Sequence, residues 1–378
     1  MSRVSKRESN RASAPVAGTS ALLKLPQGAR VAILAGGTGG HIFPGLEVAR
    51  VLRDAGADVS WLGTPHGLEN RLVPAAGIEL NRIGIQGLRG RGLAGWLAAP
   101  ARILRAMLQA RRVFKKNRPG CVLSMGGYAA GPAGIAARLM GIALVIHEQN
   151  SVAGWTNRLL RPWAKAVCTG FPDVFSGALV TGNPVRREIS ELPAPAARYR
   201  NRTGPLRLLV IGGSQGASVF NQVVPEALAR LSADNRPEVR HQAGRQLQPA
   251  ENNYNKAGVE ARVAEFVDDM AEAWAWADFA VCRAGALTVA ELAAAGVPAV
   301  LVPLPAAVDD HQTANARFLV DAGAGWLMPQ AEFTPGQLAG LINALDRPEL
   351  GRMATIARGL AEPESAVKVA RACVRVLV

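Results

Sequence analysis

The chain has only four cysteines in 378 residues, at positions 121, 168, 282 and 373 with no CxxC spacing, and only three tyrosines, with aromatic residues at 5%. Thiols so scattered exclude a disulfide framework and a cysteine zinc site, and are expected as small core residues in a reducing compartment. The lack of aromatics interleaved with basic residues argues against a nucleic-acid-binding platform, which needs rings to stack on bases. No apolar run approaches the roughly 18 residues that span a bilayer, and residues 1–28 lack the continuous apolar stretch of a signal peptide. Acidic residues are scarce in one half: residues 1–186 hold 8 Asp and Glu against 24 Lys and Arg, a balance of +16, whereas residues 187–378 hold 21 against 19, a balance of −2. The net charge of +14 is therefore a one-sided basic field, which calls for a polyanionic partner, either nucleic acid or an anionic membrane surface.

Glycine is abundant, with 40 residues, and it is placed with a pattern. Two glycine-rich turns occupy matching places in the two halves, each after a short apolar strand: Gly36-Gly37-Thr38-Gly39-Gly40-His41 after RVAILA, and Gly212-Gly213-Ser214-Gln215-Gly216 after LRLLVI. A strand, a glycine turn and a helix start leave free N–H groups that suit a phosphate. Strands are expected at 30–35, 58–62, 121–124, 142–147 and 166–169, and again at 206–211, 238–242, 262–264, 278–282 and 298–302. Helical stretches lie between them, including 44–55, 102–116, 218–231, 268–276, 286–295 and 311–322, with a last one over 350–377. This alternation predicts an α/β protein of two doubly wound, Rossmann-like parallel-sheet domains facing an interdomain cleft, because ligands bind beyond the carboxyl ends of such strands.

The expected organisation is a basic tail over 1–28 with no part in the fold, a first domain over 29–185, a second over 186–350, and a final helix over 351–378 returning toward the first domain. The Pro- and Arg-rich stretch 186–205 reads as the connection.

Further motifs cluster at strand ends. Met125-Gly126-Gly127-Tyr128-Ala129-Ala130-Gly131-Pro132 gives the first domain a second phosphate-compatible turn, and His147-Glu148-Gln149-Asn150 closes the apolar run IALVI. In the second half, Cys282-Arg283-Ala284-Gly285-Ala286-Leu287-Thr288-Val289-Ala290-Glu291 is a strand end, a turn and a helix start with a carboxylate one turn in. A glutamate at that depth can accept hydrogen bonds from both hydroxyls of a ribose. Asp309-Asp310-His311 could suggest a metal, but neighbours at a helix start point in different directions and the aspartates serve as caps, so no metal and no cofactor is expected. Gln312 and Asn315, three apart, read as sugar hydrogen-bonding groups.

In series, GGTGGHIFP, GGYAAGP, HEQN, GNPVR, GGSQGA, EFVDDM, CRAGALTVAELAAAGVP and DDHQTANA resemble the lipid II-forming N-acetylglucosaminyltransferases of bacterial peptidoglycan synthesis, GT-B enzymes of glycosyltransferase family 28. The resemblance covers about residues 29–376. It implies transfer of N-acetylglucosamine from UDP-N-acetylglucosamine to the 4-hydroxyl of the N-acetylmuramoyl unit of lipid I, with inversion. It further implies donor contacts at Thr38, Gly39, Gly40, Asn150, Arg186, Ser214, Val267, Ala286, Leu287, Thr288, Val289, Ala290, Glu291 and Gln312, with the ribose on Glu291 and the uracil on the Val267 backbone. The acceptor diphosphate is expected at Gly37, Gly126, Gly127 and Tyr128. His41 follows the first turn at the cleft and is the candidate general base, with Glu148 in reserve; Arg186 and the helix start at Ala286 meet the leaving-group charge.

A lipid-anchored acceptor gives the basic first half a purpose. Residues 87–116 combine Leu88, Leu93, Trp96, Leu97 and Ile103 with Arg89, Arg91, Arg102 and Arg105, as expected of a surface that docks on anionic lipid at the cytoplasmic face of the inner membrane, while Leu104, Met107, Leu108 and Phe114 are expected to include core residues. Other cell-wall and division proteins are further partners implied by the resemblance. The competing expectations are a UDP-N-acetylglucosamine 2-epimerase of the same architecture, which needs no lipid surface; a nucleic-acid-binding protein, favoured only by charge; and an NAD-dependent dehydrogenase, disfavoured because GGTGGH departs from GxGxxG and no acidic residue ends the second strand.

Overall fold

The computed structural model describes residues 23–85, 99–213, 216–305 and 307–377. Two parallel sheets form around separate cores. The first contains β1 (Arg30–Leu34), β2 (Asp58–Gly63), β3 (Glu79–Arg82), β4 (Cys121–Ser124), β5 (Ala143–Glu148), β6 (Ala166–Thr169) and β7 (Leu179–Val180), in the order β3-β2-β1-β4-β5-β6-β7. The second contains β8 (Arg207–Ile211), β9 (Glu238–Gln242), β10 (Arg262–Ala264), β11 (Phe279–Cys282), β12 (Ala299–Leu301) and β13 (Gly325–Leu327), in the order β10-β9-β8-β11-β12-β13. Central strands such as RVAIL and FAVC are buried on both faces, so helices must cover both sides and the strands read as unbroken apolar runs. The edges carry no such run: β3 is the half-exposed ELNR and β7 is two exposed residues, which is why sequence pattern passes over them.

Each sheet reverses its winding once, between β1 and β4 and between β8 and β11. There the registers Leu34 to Ser124 and Ile211 to Cys282 align the carboxyl ends, so the turns that follow lie side by side.

Several boundaries differ from expectation for identifiable reasons. The helix after β1 runs Gly39–Asp54, starting before the 44–55 expected, and carries Pro44 in its interior rather than in its first turn. The stretch 350–377 is two helices, Arg347–Gly359 and Ser365–Arg375, broken at Pro363. Leu23 is buried and Leu25 packs beside it in the first core, so the last residues of the expected tail take part in the fold; residues 1–22 lie outside the described ones. The stretch 186–205 is not a free connection. Helices Arg187–Ser190 and Pro195–Tyr199 pack on the second unit, and Arg202 and Arg347 both pair with the fully buried Asp278.

The chain crosses between units at 182–184 and again at 360–365, and the crossings touch: Ser365 Oγ donates to Asn183 O at 3.0 Å. Beyond the second crossing, Val367, Val369, Ala370 and Cys373 enter the first core beside Val31, Ile33, Cys121 and Cys168. All four cysteines are buried and free. Burial pushes the thiols of Cys168 and Cys282 up to about 12, the state of inert packing residues.

Candidate active site

The carboxyl ends of the two sheets face one another across a cleft of about 560 Å³. One wall carries Thr38, Gly39, Gly40, His41 and Asn150; the other carries Val267, Trp274, Ala286, Leu287, Thr288 and Glu291; Arg186 lines the cleft as well. The helix Ala286–Ala295 starts on Gly285 and the helix Gly39–Asp54 on Thr38, neither with a side-chain cap. His41 N–H bonds back to Thr38 O at 3.2 Å, which leaves the N–H groups of Gly39 and Gly40 and those that open the helix at Ala286 without side-chain caps, and both helix dipoles direct partial positive charge at the cleft.

Glycine is required where these turns pack. A Cβ on Gly216 would lie 2.3 Å from Ala243 O, and Gly216 has φ of +75°. A Cβ on Gly127, at φ +80°, would lie 3.2 Å from Gly36 O and 3.7 Å from the His41 ring. The two glycine turns of the first unit thus close on each other with His41 between them and the cleft.

Glu291 is 6% exposed and both its oxygens are engaged: Oε1 accepts from Arg186 Nη2 at 2.9 Å and Oε2 from Trp274 Nε1 at 3.2 Å. Carboxylate oxygens have lone pairs to spare, so a diol can still donate to it. Arg186 also lies over the Phe43 ring, 5.0 Å from its centroid. The carboxylate takes Nη2 alone, and the buried Nε has no partner among the described residues, so the guanidinium keeps donors for an anion while it stacks on the ring.

His41 Nδ1 lies 2.9 Å from Gln149 Oε1; Gln149 Nε2 lies 3.0 Å from His147 Nδ1 and 3.2 Å from His147 O; His147 Nε2 lies 3.1 Å from Gly182 O. His147 is fully buried, and burial lowers its pKa to about 4.

Other expected site residues sit differently. Glu148, the reserve base, is buried and accepts from Asn150 N, Gly154 N and Asn157 Nδ2 at 2.8–3.0 Å, so it organises its loop instead of facing the cleft. Gly37 N–H donates to the buried Glu69 at 3.1 Å and is not free for an acceptor diphosphate. Gly126 and Gly127 back onto His41, and Tyr128, 41% exposed, stands over Gly37. Val289 faces the second core, and Ala290 lines a separate cavity of about 160 Å³ behind the helix. Gln312 Oε1 accepts from Leu304 N, bracing the loop before its helix. Asn315 is fully buried: it accepts from Ser151 N and Oγ and donates to Ala284 O, fastening one unit to the other where a sugar contact was expected. Ser214, Leu88, Arg89, Arg91, Trp96 and Leu97 lie outside the described residues.

Sequence reasoning missed Phe43, Trp274 and Glu69. Nothing in AEAWAW distinguishes the cleft-lining Trp274 from Trp276, which stacks under Arg240. Glu69 could have been found as a carboxylate opening a helix, although its partner Gly37 is 32 residues away.

Residues 31–169 match the glycosyltransferase family 28 N-terminal domain, and residues 207–369 the glycosyltransferase family 28 C-terminal domain. The chain is 58% identical over 348 residues to the UDP-N-acetylglucosamine–N-acetylmuramyl-(pentapeptide) pyrophosphoryl-undecaprenol N-acetylglucosamine transferase of Alkalilimnicola ehrlichii, covering 91% of this chain and 98% of that one. Its structure is similar to the crystal structure of Acinetobacter baumannii MurG, with a TM-score of 0.79 and 43% identity over 91% of this chain and 99% of that one. A UDP-N-acetylglucosamine 2-epimerase shares the fold alone, with a TM-score of 0.61 at 15% identity over 91% of this chain and 95% of that one. With both halves matched in order around one cleft, the chain belongs to glycosyltransferase family 28.

Proposed function

We propose that this protein transfers N-acetylglucosamine from UDP-N-acetylglucosamine to the N-acetylmuramoyl 4-hydroxyl of lipid I, forming lipid II for peptidoglycan. The observation that carries this reading is the opposition, across one cleft, of a buried ribose-competent carboxylate at Glu291 and an imidazole at His41. The nucleotide lies on the second unit, with its ribose hydroxyls donating to Glu291, its base against the backbone at Val267 and its diphosphate over the N–H groups that open the helix at Ala286. The acceptor enters from the first unit beside Gly126, Gly127 and Tyr128. Its hydroxyl oxygen forms the bond to the sugar C1 as the C1–O bond to the diphosphate breaks; the hydroxyl proton passes to His41 Nε2, and UDP departs with its added charge on the helix N-terminus.

The acceptor's lipid places the first unit against a membrane. Among the described residues no helix is long and apolar enough to cross one. The helix Ala99–Asn117 exposes Leu104 and Leu108 together with Arg102, Arg105, Arg111 and Arg112, which supports peripheral docking on anionic lipid.

The test is incubation of labelled UDP-N-acetylglucosamine with a lipid I analogue, looking for the lipid-linked disaccharide. Label released only as an epimerised sugar nucleotide would overturn the transfer. His41→Ala is expected to lower turnover by roughly 10² or more.

A further inference from the structure

We propose that Gln149 and His147 are positioning residues that lock His41 in the tautomer with a bare Nε2, through a hydrogen-bonded relay anchored on the interdomain crossing. The proposal rests on the reading of His41 as the base.

The direction of every proton in the relay follows from one group that can only accept. His147 O is a backbone carbonyl, so the Gln149 atom 3.2 Å away must be the amide nitrogen. That sets Gln149 Oε1 toward His41, and an amide oxygen cannot donate, so His41 Nδ1 carries a hydrogen and donates to it. A neutral imidazole has one N–H, which leaves Nε2 as the lone-pair nitrogen. Among the described residues Nε2 makes no hydrogen bond, and His41 lines the cleft.

The same logic fixes His147. Its Nε2 faces Gly182 O, so it donates there, and its bare Nδ1 accepts from Gln149 Nε2. Both relay residues are buried, His147 fully and Gln149 at 2% exposure, so water does not compete for these bonds. The far end is the crossing itself: Gly182 supplies the terminal acceptor, and Asn183 Nδ2 donates to Gln149 O at 2.9 Å. A Cβ on Gly182 would lie 2.4 Å from Glu362 Cβ on the second crossing, so this anchor is held from both strands of the junction. An imidazole left to itself in water favours the opposite tautomer, with the hydrogen on Nε2, in which Nε2 cannot take a proton from the acceptor.

Long-range proton–nitrogen NMR of the full-length, 15N-histidine-labelled protein at pH 8 reads the tautomer without turnover. Wild type is expected to show His41 protonated on Nδ1. In Gln149→Leu the His41 signals should move toward the Nε2–H form, and kcat should fall by roughly 10-fold or more while KM for UDP-N-acetylglucosamine changes by less than about 2-fold. His147→Phe, which leaves the carbonyl at 147 in place, should shift the tautomer less and serves as the second variant if Gln149→Leu does not fold. Wild-type His41 bearing its hydrogen on Nε2, or a tautomer indifferent to both substitutions, would overturn the relay whatever His41 does. A tautomer that shifts while kcat stays level would overturn the base reading and with it the catalytic consequence.

Discussion

Arg186 Nη2 lies 2.9 Å from Glu291 Oε1 while the same guanidinium sits over Phe43, so one side chain at the start of the second unit's chain joins the cleft carboxylate to the first unit's leading helix. The pair is largely buried, with side-chain exposures of 25% and 8%. Removing one partner therefore strands the other out of water. Glu291→Ala is expected to raise KM for UDP-N-acetylglucosamine by roughly 10- to 100-fold through loss of the diol acceptor and the stranded Arg186. Glu291→Gln, which keeps an accepting oxygen but loses the charge, should do less harm. Titration of each variant with UDP by calorimetry checks this; equal affinity in Glu291→Ala and wild type would remove the nucleotide from this carboxylate.

Asn315 is a second fastener between the units. Its Oδ1 accepts from Ser151 N and Oγ at 2.9 and 2.8 Å, and its Nδ2 donates to Ala284 O at 3.1 Å. Asn315→Ala should cost about 1–3 kcal/mol of stability, because it leaves buried polar groups without partners. Asn315→Asp should cost at least as much despite its shape, since it sets a carboxylate oxygen against the carbonyl of Ala284. Urea unfolding of these variants and of Ser151→Ala in a double-mutant cycle isolates the shared term. A cycle with no coupling between 151 and 315 would show that this contact does not hold the units together.

The contrast between these two residues shows what the sequence can and cannot carry. The place of Glu291 in the cleft was legible because it follows from local position: one turn into a helix that follows a strand and a glycine. The same locality made the central strands legible, since RVAIL and CVLS are apolar whichever way the sheet is wound. Asn315 looked similar, three residues from Gln312 on one helical face, yet its partner is 164 residues away in Ser151 and nothing local specifies that encounter. Glu148 was misread for a related reason: an acid at a strand end is available for chemistry only if its own loop leaves it free, and the three donors around it come from Asn150, Gly154 and Asn157. Of Leu104, Met107, Leu108 and Phe114, expected to include core residues, Phe114 is buried and Met107 packs against the same core, while Leu104 and Leu108 are exposed. The pattern on a helix identifies an apolar stripe but not whether another element covers it; here Ala106, Ala110 and Phe114 face the core and the two leucines face outward.

Acid should destabilise the protein through its buried histidines at pH values above the ordinary carboxylate range, with Glu47, whose carboxyl pKa burial pushes up, working in the opposite direction. Burial lowers the pKa values of His147 and His241 from 6.5 to about 4. Each is neutral in the native state at pH values where the unfolded chain binds a proton. Between pH 6.5 and about 4 the unfolded state therefore holds more protons, and stability falls as pH falls through that window, by up to roughly 3 kcal/mol for each histidine. The interval from pH 6.5 to 5 is diagnostic, being above the ordinary carboxylate range. His241 lies outside the cleft, with Nδ1 3.0 Å from the Tyr254 hydroxyl, so His241→Gln should flatten the slope without touching the proposed relay. Urea denaturation at half-unit steps gives the slope; a flat or rising unfolding free energy on acidification over that interval would contradict it.

The proposed membrane docking is expected to be separable from catalysis by the same outward leucines. Leu104 is 56% exposed and Leu108 48%, four residues apart on the helix Ala99–Asn117, with Arg105, Arg111 and Arg112 exposed around them. Lys116 is turned away toward the sheet edge, where it pairs with Glu79 at 2.8 Å. Burying two leucines in the interface is favourable by about 1.5 kcal/mol each or more, and each nearby Arg adds about 1 kcal/mol against an anionic leaflet. Leu104→Ser with Leu108→Ser should thus weaken binding to phosphatidylglycerol-containing vesicles by at least ~10-fold at every salt concentration. Trp96→Ala with Arg89→Glu tests the preceding segment in the same assay. Raising salt should weaken the wild type and the serine pair by the same factor, because the charges are unchanged, and turnover on a water-soluble acceptor should stay level. Vesicle binding that survives both double substitutions would place the lipid-facing surface elsewhere on the first unit.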